Sequence, residues 1–311
     1  MTNDLREGQH SISDVIDTPD KALSLDADIF YSQLVSRNQH FISRETQDKL
    51  RSLKILVGGC GSGGGACLEP LARLGVENFK FADNGSYELT NLNRQRAYIA
   101  NLGENKASYN LKLLKEINPF INAEAFPEGI TLENVNRFVE WSDLIIDAVD
   151  VTNPTSISLK IALHECAKQV NKPVFSPLDV GFRQCGLGFD YRKKNIKVFD
   201  GRLAAAKAAS HPIKALFQIL PLSMLPTHCL PLAVELLEGK TTTGSQLAAA
   251  SDLLSGVIAA CVVRFADTGD IVRYWNIDLS NMSMSPKQRF VELFRRPFMM
   301  HKVRRMIAGI A

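Results

Sequence analysis

A glycine-rich loop is the first feature of this sequence that could do chemistry. Gly59, Gly61 and Gly64 form a G-x-G-x-x-G pattern between a short apolar run, residues 53–57, and a helical pattern, residues 66–74. Glycines at this spacing permit a tight turn and let the backbone approach a phosphate, which the free N–H groups of a helix N-terminus can then bind. The order apolar strand, loop and helix therefore predicts a nucleotide-binding unit.

Four further polar residues follow at places where such a unit could use them. Asp83 ends the next apolar run, about 20 residues beyond the loop, where an acid can bind ribose hydroxyls. Arg94, Lys106 and Asp150 also lie at or after the ends of predicted strands, the edge of an α/β sheet where ligands bind. An arginine and a lysine can neutralise a triphosphate, and an aspartate can hold Mg²⁺ against it.

This set of residues favours chemistry at a phosphate over hydride transfer. A dehydrogenase needs no cationic clamp and would need an acid or base for hydride transfer, and none of the six histidines has a recognisable place for that role. Nucleotidyl transfer to a carboxylate fits better, because its catalysis is mostly positioning and charge neutralisation.

The elements that must position these residues alternate between strand and helix patterns. This alternation predicts an α/β fold, a Rossmann-like, doubly wound and mostly parallel sheet extended by C-terminal strands and helices. The predicted strands cover residues 53–57, 79–82, 122–126, 143–148 and 172–176, then a strand pair within 189–199 and a strand at 271–279. The predicted helices cover residues 28–51, 66–74, 105–117, 132–140, 156–171, 204–219 and 246–265, and residues 221–231 form a proline-rich crossing.

Composition is that of an ordinary globular enzyme. The chain has 311 residues, 45% hydrophobic and 22% charged, and its net charge of +3 is too small to indicate a nucleic acid partner. The polar N-terminus resembles no signal peptide, and no apolar run approaches the ~20 residues of a membrane span. Six scattered cysteines without C-x-x-C spacing indicate reduced thiols in a cytoplasmic protein and no structural zinc.

The chain divides into three predicted parts. Residues 1–27 form a flexible segment, and residues 28–281 form the Rossmann domain, with a nucleotide half at 50–180 and an acceptor or crossover half at 181–281. Residues 282–311 form a basic amphipathic tail whose helical pattern is interrupted at Pro297. The tail could contact a membrane surface or an acidic partner. Packing of its apolar side on the domain or on a dimer mate is the favoured interpretation.

Several short motifs together resemble one superfamily. After the glycine loop come NLNRQ, GENKA, INP and DAVD, in the order found in the ThiF/MoeB/ubiquitin-activating superfamily (HesA/MoeB/ThiF). The resemblance spans roughly residues 30–181, with a weaker match at 246–279. It implies adenylation of a carboxylate by ATP and Mg²⁺ with release of pyrophosphate. The carboxylate would belong to a peptide, to the C-terminus of a ubiquitin-like protein or to a small molecule.

The resemblance also implies roles for individual residues. Asp83 would bind the ribose, whereas Asn91, Arg94 and Lys106 would hold the phosphates, together with the glycine loop. Asp150 resembles the essential aspartate that binds magnesium.

Two further residues have roles implied by resemblance alone. Arg37, in SRNQ, resembles an arginine that reaches into the partner's site of a homodimer. Cys229 lies where some relatives carry a thioester-forming cysteine, although an isolated cysteine is more often buried and inert.

Departures from the family pattern leave alternatives open. The paired C-x-x-C zinc motifs are absent, and the chain is too short for the added domains of eukaryotic-type activating enzymes. GITLENV and IIDAVD are most similar to tRNA threonylcarbamoyladenosine dehydratases and to stand-alone bacterial ThiF-like proteins. The alternatives are ATP-dependent cyclisation on tRNA, an NAD-dependent oxidoreductase on the same fold, and a non-catalytic ThiF-like partner subunit.

Overall fold

A seven-stranded sheet organises the computed structural model, which describes residues 15–151, 153–209, 211–241 and 244–309. The strands are β1 Lys54–Gly58, β2 Asn78–Ala82, β3 Asn122–Phe126, β4 Leu144–Asp147, β5 Val174–Val180, β6 Arg183–Phe189 and β7 Tyr274–Asp278. Their spatial order is β3-β2-β1-β4-β5-β6-β7. The first five strands in this order are parallel, whereas β6 and β7 are antiparallel to their neighbours. The predicted fold class is confirmed.

Helices cover both faces of the sheet. They are α1 Pro19–Leu23, α2 Ala27–Leu34, α3 Arg44–Ser52, α4 Gly64–Arg73, α5 Lys106–Ile117, α6 Val135–Trp141, α7 Pro154–Gln169, α8 Leu203–Ala208, α9 Pro212–Ile219, α10 Leu230–Leu237, α11 Ala248–Thr268, α12 Ser280–Ser283 and α13 Pro286–Ile307. One core lies between the sheet and α4, α5 and α11, and a second lies between the opposite face and α6 to α9. Alternate residues of β1 divide between them, Ile55 and Val57 facing the first core and Leu56 the second.

The helix α11 is long and apolar enough to cross a membrane by length and composition. The sequence predicts no such segment, because no unbroken apolar run approaches that length. In the structure Leu254, Ile258 and Val262 of α11 are fully buried in the first core, against the sheet and α4. The apolar face of α11 is thus used in the domain core.

The strand pair predicted within residues 189–199 is wrong in position. The hairpin is formed by β5 and β6 with its turn at Gly181, whose φ is +61°. Residues 190–199 instead form a loop and the start of a 3-10 turn. Two glycines in β6 weaken its strand pattern in the sequence. Both are needed for packing, because a Cβ on Gly186 would lie 2.0 Å from the ring of Trp275 and one on Gly188 would lie 2.1 Å from the carbonyl oxygen of Val272.

Three helix predictions also need correction. Residues 28–51 form α2 and α3 with a 3-10 turn, Ser36–Asn38, between them, and residues 204–219 form α8 and α9, the second starting at Pro212. The tail helix α13 continues through Pro297. It is held on both sides of the proline, since Arg296 donates to the carbonyl oxygens of Ser223 and Leu225, and Met300 is buried against α10.

The structure describes the two ends of the chain to different extents. Residues 1–14 lie outside the described part, and α1 contains no buried residue. The tail packs its second half on α10, as the favoured interpretation expected, while Phe290, Phe294 and Phe298 remain exposed. The boundaries at residues 28 and 282 stay a prediction.

Candidate active site

One cavity of about 720 Å³ opens at the carboxyl ends of β1, β2 and β4. Eight of the candidate residues line it: Gly59, Gly61, Asp83, Asn91, Arg94, Lys106, Asp150 and Cys229. Gly64, the first residue of α4, and Arg37 are not among the lining residues. The strand order therefore brings together residues that are far apart in sequence.

The glycine loop is shaped by close backbone contacts. Gly59 has a φ of +90°, and a Cβ there would lie 2.4 Å from the carbonyl oxygen of Ala148. A Cβ on Gly64 would lie 1.8 Å from the carbonyl oxygen of Gly59, so the start of α4 can approach the strand only with glycine at this position. Gly61 has room for a side chain. No side chain caps α4; the N–H of Gly65 donates to the carbonyl oxygen of Gly61 at 3.0 Å, and the N–H of Gly64 is the group at the helix start that an anion could bind.

The helix α11 supports the glycine loop from the C-terminal part of the chain. The hydroxyl of Ser251 donates to the carbonyl oxygen of Ser62 at 2.8 Å, and both residues are buried. No local pattern in the sequence indicates this contact, because the two residues are 189 positions apart.

Asp83 is already hydrogen-bonded by the backbone around it. Its Oδ2 accepts from the N–H of Cys60 at 2.6 Å, and its Oδ1 accepts from the N–H of Gly85 at 2.7 Å. These bonds join the loops after β1 and β2. Each carboxylate oxygen keeps further acceptor capacity, so the carboxylate can also bind a ligand hydroxyl from the cavity wall.

Lys106 is the first residue of α5, and Asn105 caps that helix through the N–H of Ser108 at 3.0 Å. Within the described residues no carboxylate lies within 4 Å of its ammonium group. Its position at a helix N-terminus is mildly unfavourable for a cation. An anionic ligand in the cavity would supply the missing counter-charge.

Arg94 is the second cation of the cavity and is half-buried. Its Nε donates to Oε1 of Gln246, and its Nη1 donates to the carbonyl oxygen of Thr90 at 3.0 Å and to Oδ1 of Asn93 at 2.8 Å. Burial lowers the pKa of Arg94, and the charge of Asp179 partly opposes this. In the described part of the chain Arg94 makes no ion pair within 4 Å, so its charge is held in place but not neutralised.

Asp150 lies exposed in the loop after β4, where the N–H of Val151 donates to its Oδ1 at 2.7 Å. The same loop is tied to the buried Asp147, whose Oδ1 accepts from the N–H of Val149 at 3.3 Å. Among the described residues no three His, Cys, Asp or Glu side chains are grouped to hold a metal ion. A metal at Asp150 would therefore take its other ligands from water and a bound phosphate.

A buried ionic cluster at the end of β4 was overlooked from sequence. Asp147 forms an ion pair with Lys160, and its Oδ2 also lies 2.9 Å from both Nε2 of His164 and the hydroxyl of Ser176. Burial opposes ionisation of Asp147, but Lys160 and His164 outweigh it and hold its pKa well below the usual range. Burial lowers the pKa of His164. Lys160 and Ser176 also line the cavity.

Asp179 on β5 is a second overlooked acid. It is 9% exposed and lines the cavity, and Nε2 of Gln184 donates to its Oδ1 at 3.4 Å. Burial raises the pKa of Asp179 to about 6, against the opposing effects of Gln184, Ser62 and Arg94. The sequence signal was weak, since Asp179 lies beyond residue 176, where the predicted strand ended, whereas β5 continues to Val180.

Cys229 and Arg37, whose roles are implied by the resemblance alone, lie in different surroundings. Cys229 is buried beside the Gly181 turn, where an added Cβ would lie 2.9 Å from its sulfur. Burial raises the pKa of the Cys229 thiol to about 11, which opposes a nucleophilic role at neutral pH. Arg37 is exposed on the 3-10 turn before α3. In the single chain Arg37 does not line the cavity, and its role in trans stays a prediction.

Comparison with known proteins extends these observations. The model of the ThiF family matches residues 35–196, slightly more than half of the chain. The chain is 34% identical over 111 residues to the adenylyltransferase and sulfurtransferase UBA4 of Lodderomyces elongisporus, covering 35% of this chain and 24% of that protein. It is 32% identical over 137 residues to the tRNA threonylcarbamoyladenosine dehydratase of Bacillus subtilis, covering 43% of this chain and 52% of that protein.

A solved structure extends the likeness in fold over most of the chain. The crystal structure of PaaA aligns with a TM-score of 0.58 at 19% identity, covering 88% of this chain and 84% of the other. The chain thus spans at most about half the length of the two curated relatives, but its fold continues beyond the family match.

Proposed function

The chain belongs to the ThiF family, and we propose that it uses ATP to adenylate a carboxylate with release of pyrophosphate. The observation that carries this proposal is the pairing of Arg94 and Lys106 at the glycine loop. Neither cation has a carboxylate partner within 4 Å in the described residues, so the positive charge of each can still be neutralised by a phosphate. The curated relatives named as adenylyltransferases support the same activity.

The residues present fit ATP as the nucleotide. The close approach of Gly64 to Gly59 leaves the backbone of the loop facing the cavity, and the uncapped start of α4 suits a phosphate. In this proposal Asp83 binds the ribose, and Asn91, Arg94 and Lys106 hold the phosphates. A magnesium ion at Asp150 would, when bound, neutralise charge on the phosphate oxygens.

The proposed reaction is an in-line displacement at the α-phosphorus. An oxygen of the substrate carboxylate forms the new P–O bond as the bond to the leaving pyrophosphate breaks, and pyrophosphate departs with the bonding electron pair. Arg94 and Lys106 stabilise the charge that grows on the transferred and leaving oxygens. No proton is transferred in this step, which agrees with the lack of a histidine among the residues that line the cavity.

We further propose a homodimer in which Arg37 completes the site of the partner subunit. The exposure of Arg37 outside its own cavity supports this arrangement. Cys229 remains a candidate acceptor for the activated acyl group, but its high pKa favours direct transfer to an external nucleophile. Use of ATP and the free thiols support a cytoplasmic location.

Cyclisation on tRNA is the second candidate function. It is favoured by the 32% identity to the Bacillus subtilis dehydratase. It uses the same activation of a carboxylate and differs only in the substrate and in the amine that attacks. An NAD-dependent oxidoreductase is disfavoured by the two cations at the loop, and a non-catalytic partner subunit by their presence together with Asp150.

Exchange of labelled pyrophosphate into ATP tests the proposal. Purified protein with ATP, Mg²⁺ and a panel of carboxylates should show exchange that depends on one class of carboxylate, and modified tRNA bearing threonylcarbamoyladenosine should be one member of the panel. Titration with ATP and with NAD gives an independent measure of nucleotide choice. Binding of NAD in preference to ATP, with no exchange on any member, would overturn the proposal.

A further inference from the structure

The cavity has a second end that the nucleotide residues do not account for. Six apolar side chains from α9, α10 and the residue after α9 line it: Ile213, Leu216, Phe217, Leu220, Leu232 and Leu236. We call this end the apolar chamber. It is continuous with the phosphate loop end, and Arg94 and Asp179 line the same cavity.

The two helices present these side chains by their spacing. In α9 and the residue that follows it, positions 213, 216, 217 and 220 recur at three and four residues, so they share one helix face. In α10, Leu230 and Val234 are buried in the cluster with α13, Leu232 and Leu236 line the cavity, and Ala233 does both. The tail helix thus covers one side of α10 and leaves the other as a wall of the chamber.

A wall of this kind selects an apolar ligand. Water beside exposed leucine and phenylalanine side chains is displaced favourably by apolar groups, at about 25 cal/mol per Å². A glycine-rich peptide end would leave the chamber unfilled and would bury peptide N–H and C=O groups where aliphatic side chains offer no hydrogen bonds.

We propose that the carboxylate activated by this protein carries a bulky apolar group, which the apolar chamber binds while the carboxylate faces the α-phosphate of ATP. The inference rests on the proposed function and names the substrate class for that site. A free aliphatic or aromatic acid and a peptide ending in a residue such as leucine share this chemistry, and the experiment separates them.

The test is pyrophosphate exchange with matched pairs of carboxylates. The free acids are acetate, butanoate, 4-methylpentanoate and 3-phenylpropanoate, and the peptides are short sequences identical except for a final glycine or leucine. We expect kcat/KM to rise about fourfold for each added methylene until the chamber is full. The set with the higher kcat/KM shows whether the substrate is a free acid or a peptide.

Variants in the chamber wall test the location. Leu232→Gln should lower kcat/KM for the best apolar substrate at least tenfold and leave ATP affinity unchanged, because Leu232 belongs to the wall of the apolar chamber and not to the proposed nucleotide-binding residues. Leu232→Ala should shift the preference towards a larger acid. The control Leu293→Gln changes an exposed leucine of α13 outside the cavity and should alter neither value.

The outcomes separate this inference from the proposed function. Exchange that is equal for glycine-ended and apolar substrates, or unchanged in both Leu232 variants, overturns the apolar substrate class and leaves adenylation standing. Absence of ATP binding and of exchange with every carboxylate overturns both.

Discussion

Lys160 and Asp147 form a buried ion pair beneath the loop that carries Asp150. The pair joins α7 to the end of β4, and the carboxylate of Asp147 also accepts from the backbone of that loop. A carboxylate with no exposed surface can stay ionised only if cations and donors surround it, which Lys160, His164 and Ser176 do here. The cluster thus fixes the loop from the interior side.

We expect Lys160→Met to lower the free energy of unfolding by about 3–5 kcal/mol, because it leaves the charge of Asp147 buried without its main partner. Urea denaturation of the purified variant measures this. The control Lys207→Met removes an exposed ion pair with Glu165 and should change stability by less than about 1 kcal/mol. Equal effects of the two substitutions would contradict the assigned role of the buried pair.

Asp150→Ala should abolish pyrophosphate exchange while ATP still binds, because Asp150 is exposed and its proposed task is to hold magnesium against the phosphates. Its removal should leave the thermal midpoint nearly unchanged, as for most exposed substitutions. Glu133→Ala, at another exposed acid outside the cavity, serves as the matched control. Full exchange activity in the Asp150 variant would remove this residue from the site.

Lys106→Gln should have opposite effects on activity and stability. Loss of one cation that stabilises the transferred phosphate should lower the exchange rate about 100-fold. Removal of a cation from the N-terminus of α5 should raise stability by about 0.3–1 kcal/mol. Lys115→Gln, in the last turn of the same helix, should lower stability slightly and leave exchange unchanged. Full exchange activity in the Lys106→Gln variant would show that the charge of Lys106 at the N-terminus of α5 is not needed for catalysis.

The parallel half of the fold was predictable because its signals are local. The glycine loop, the side-chain cap Asn105 and the short apolar runs each act within a few residues, and β1, β2 and β3 lie within a residue of their predicted bounds. The position of the hairpin β5–β6 was predicted wrongly because Gly186, a glycine inside a strand, is required by its contact with Trp275, 89 positions away. Lys160 was missed for the same reason, since only the packing of α7 on β4 turns it towards Asp147.

Cys229→Ala should retain both exchange and product formation once a product is known. The thiol is buried and its pKa is about 11, so at neutral pH almost none is present as the reactive thiolate. Product analysis by mass spectrometry, with exchange measured in parallel, checks this. Retained exchange with lost product would instead establish a thioester on Cys229.

Asp179→Asn should stabilise the protein at pH 7 and have little effect near pH 4. Burial raises the folded-state pKa of Asp179 to about 6, above its unfolded value, so between these pH values the folded state binds the extra proton. Stability therefore falls as the pH rises through this window, and above it the ionised carboxylate remains a constant cost of roughly 1–3 kcal/mol.

Asparagine avoids that cost at every pH and can still accept from Gln184 through its amide oxygen. Urea denaturation of Asp179→Asn and wild type at pH 4.5 and 7.5 should show a difference that grows with pH. The control Asp252→Asn, at an exposed acid of α11, should show no such trend. If the Asp179 variant is less stable than wild type at pH 7.5, the ionised carboxylate must be stabilised by its neighbours, and Arg94 would then be its partner.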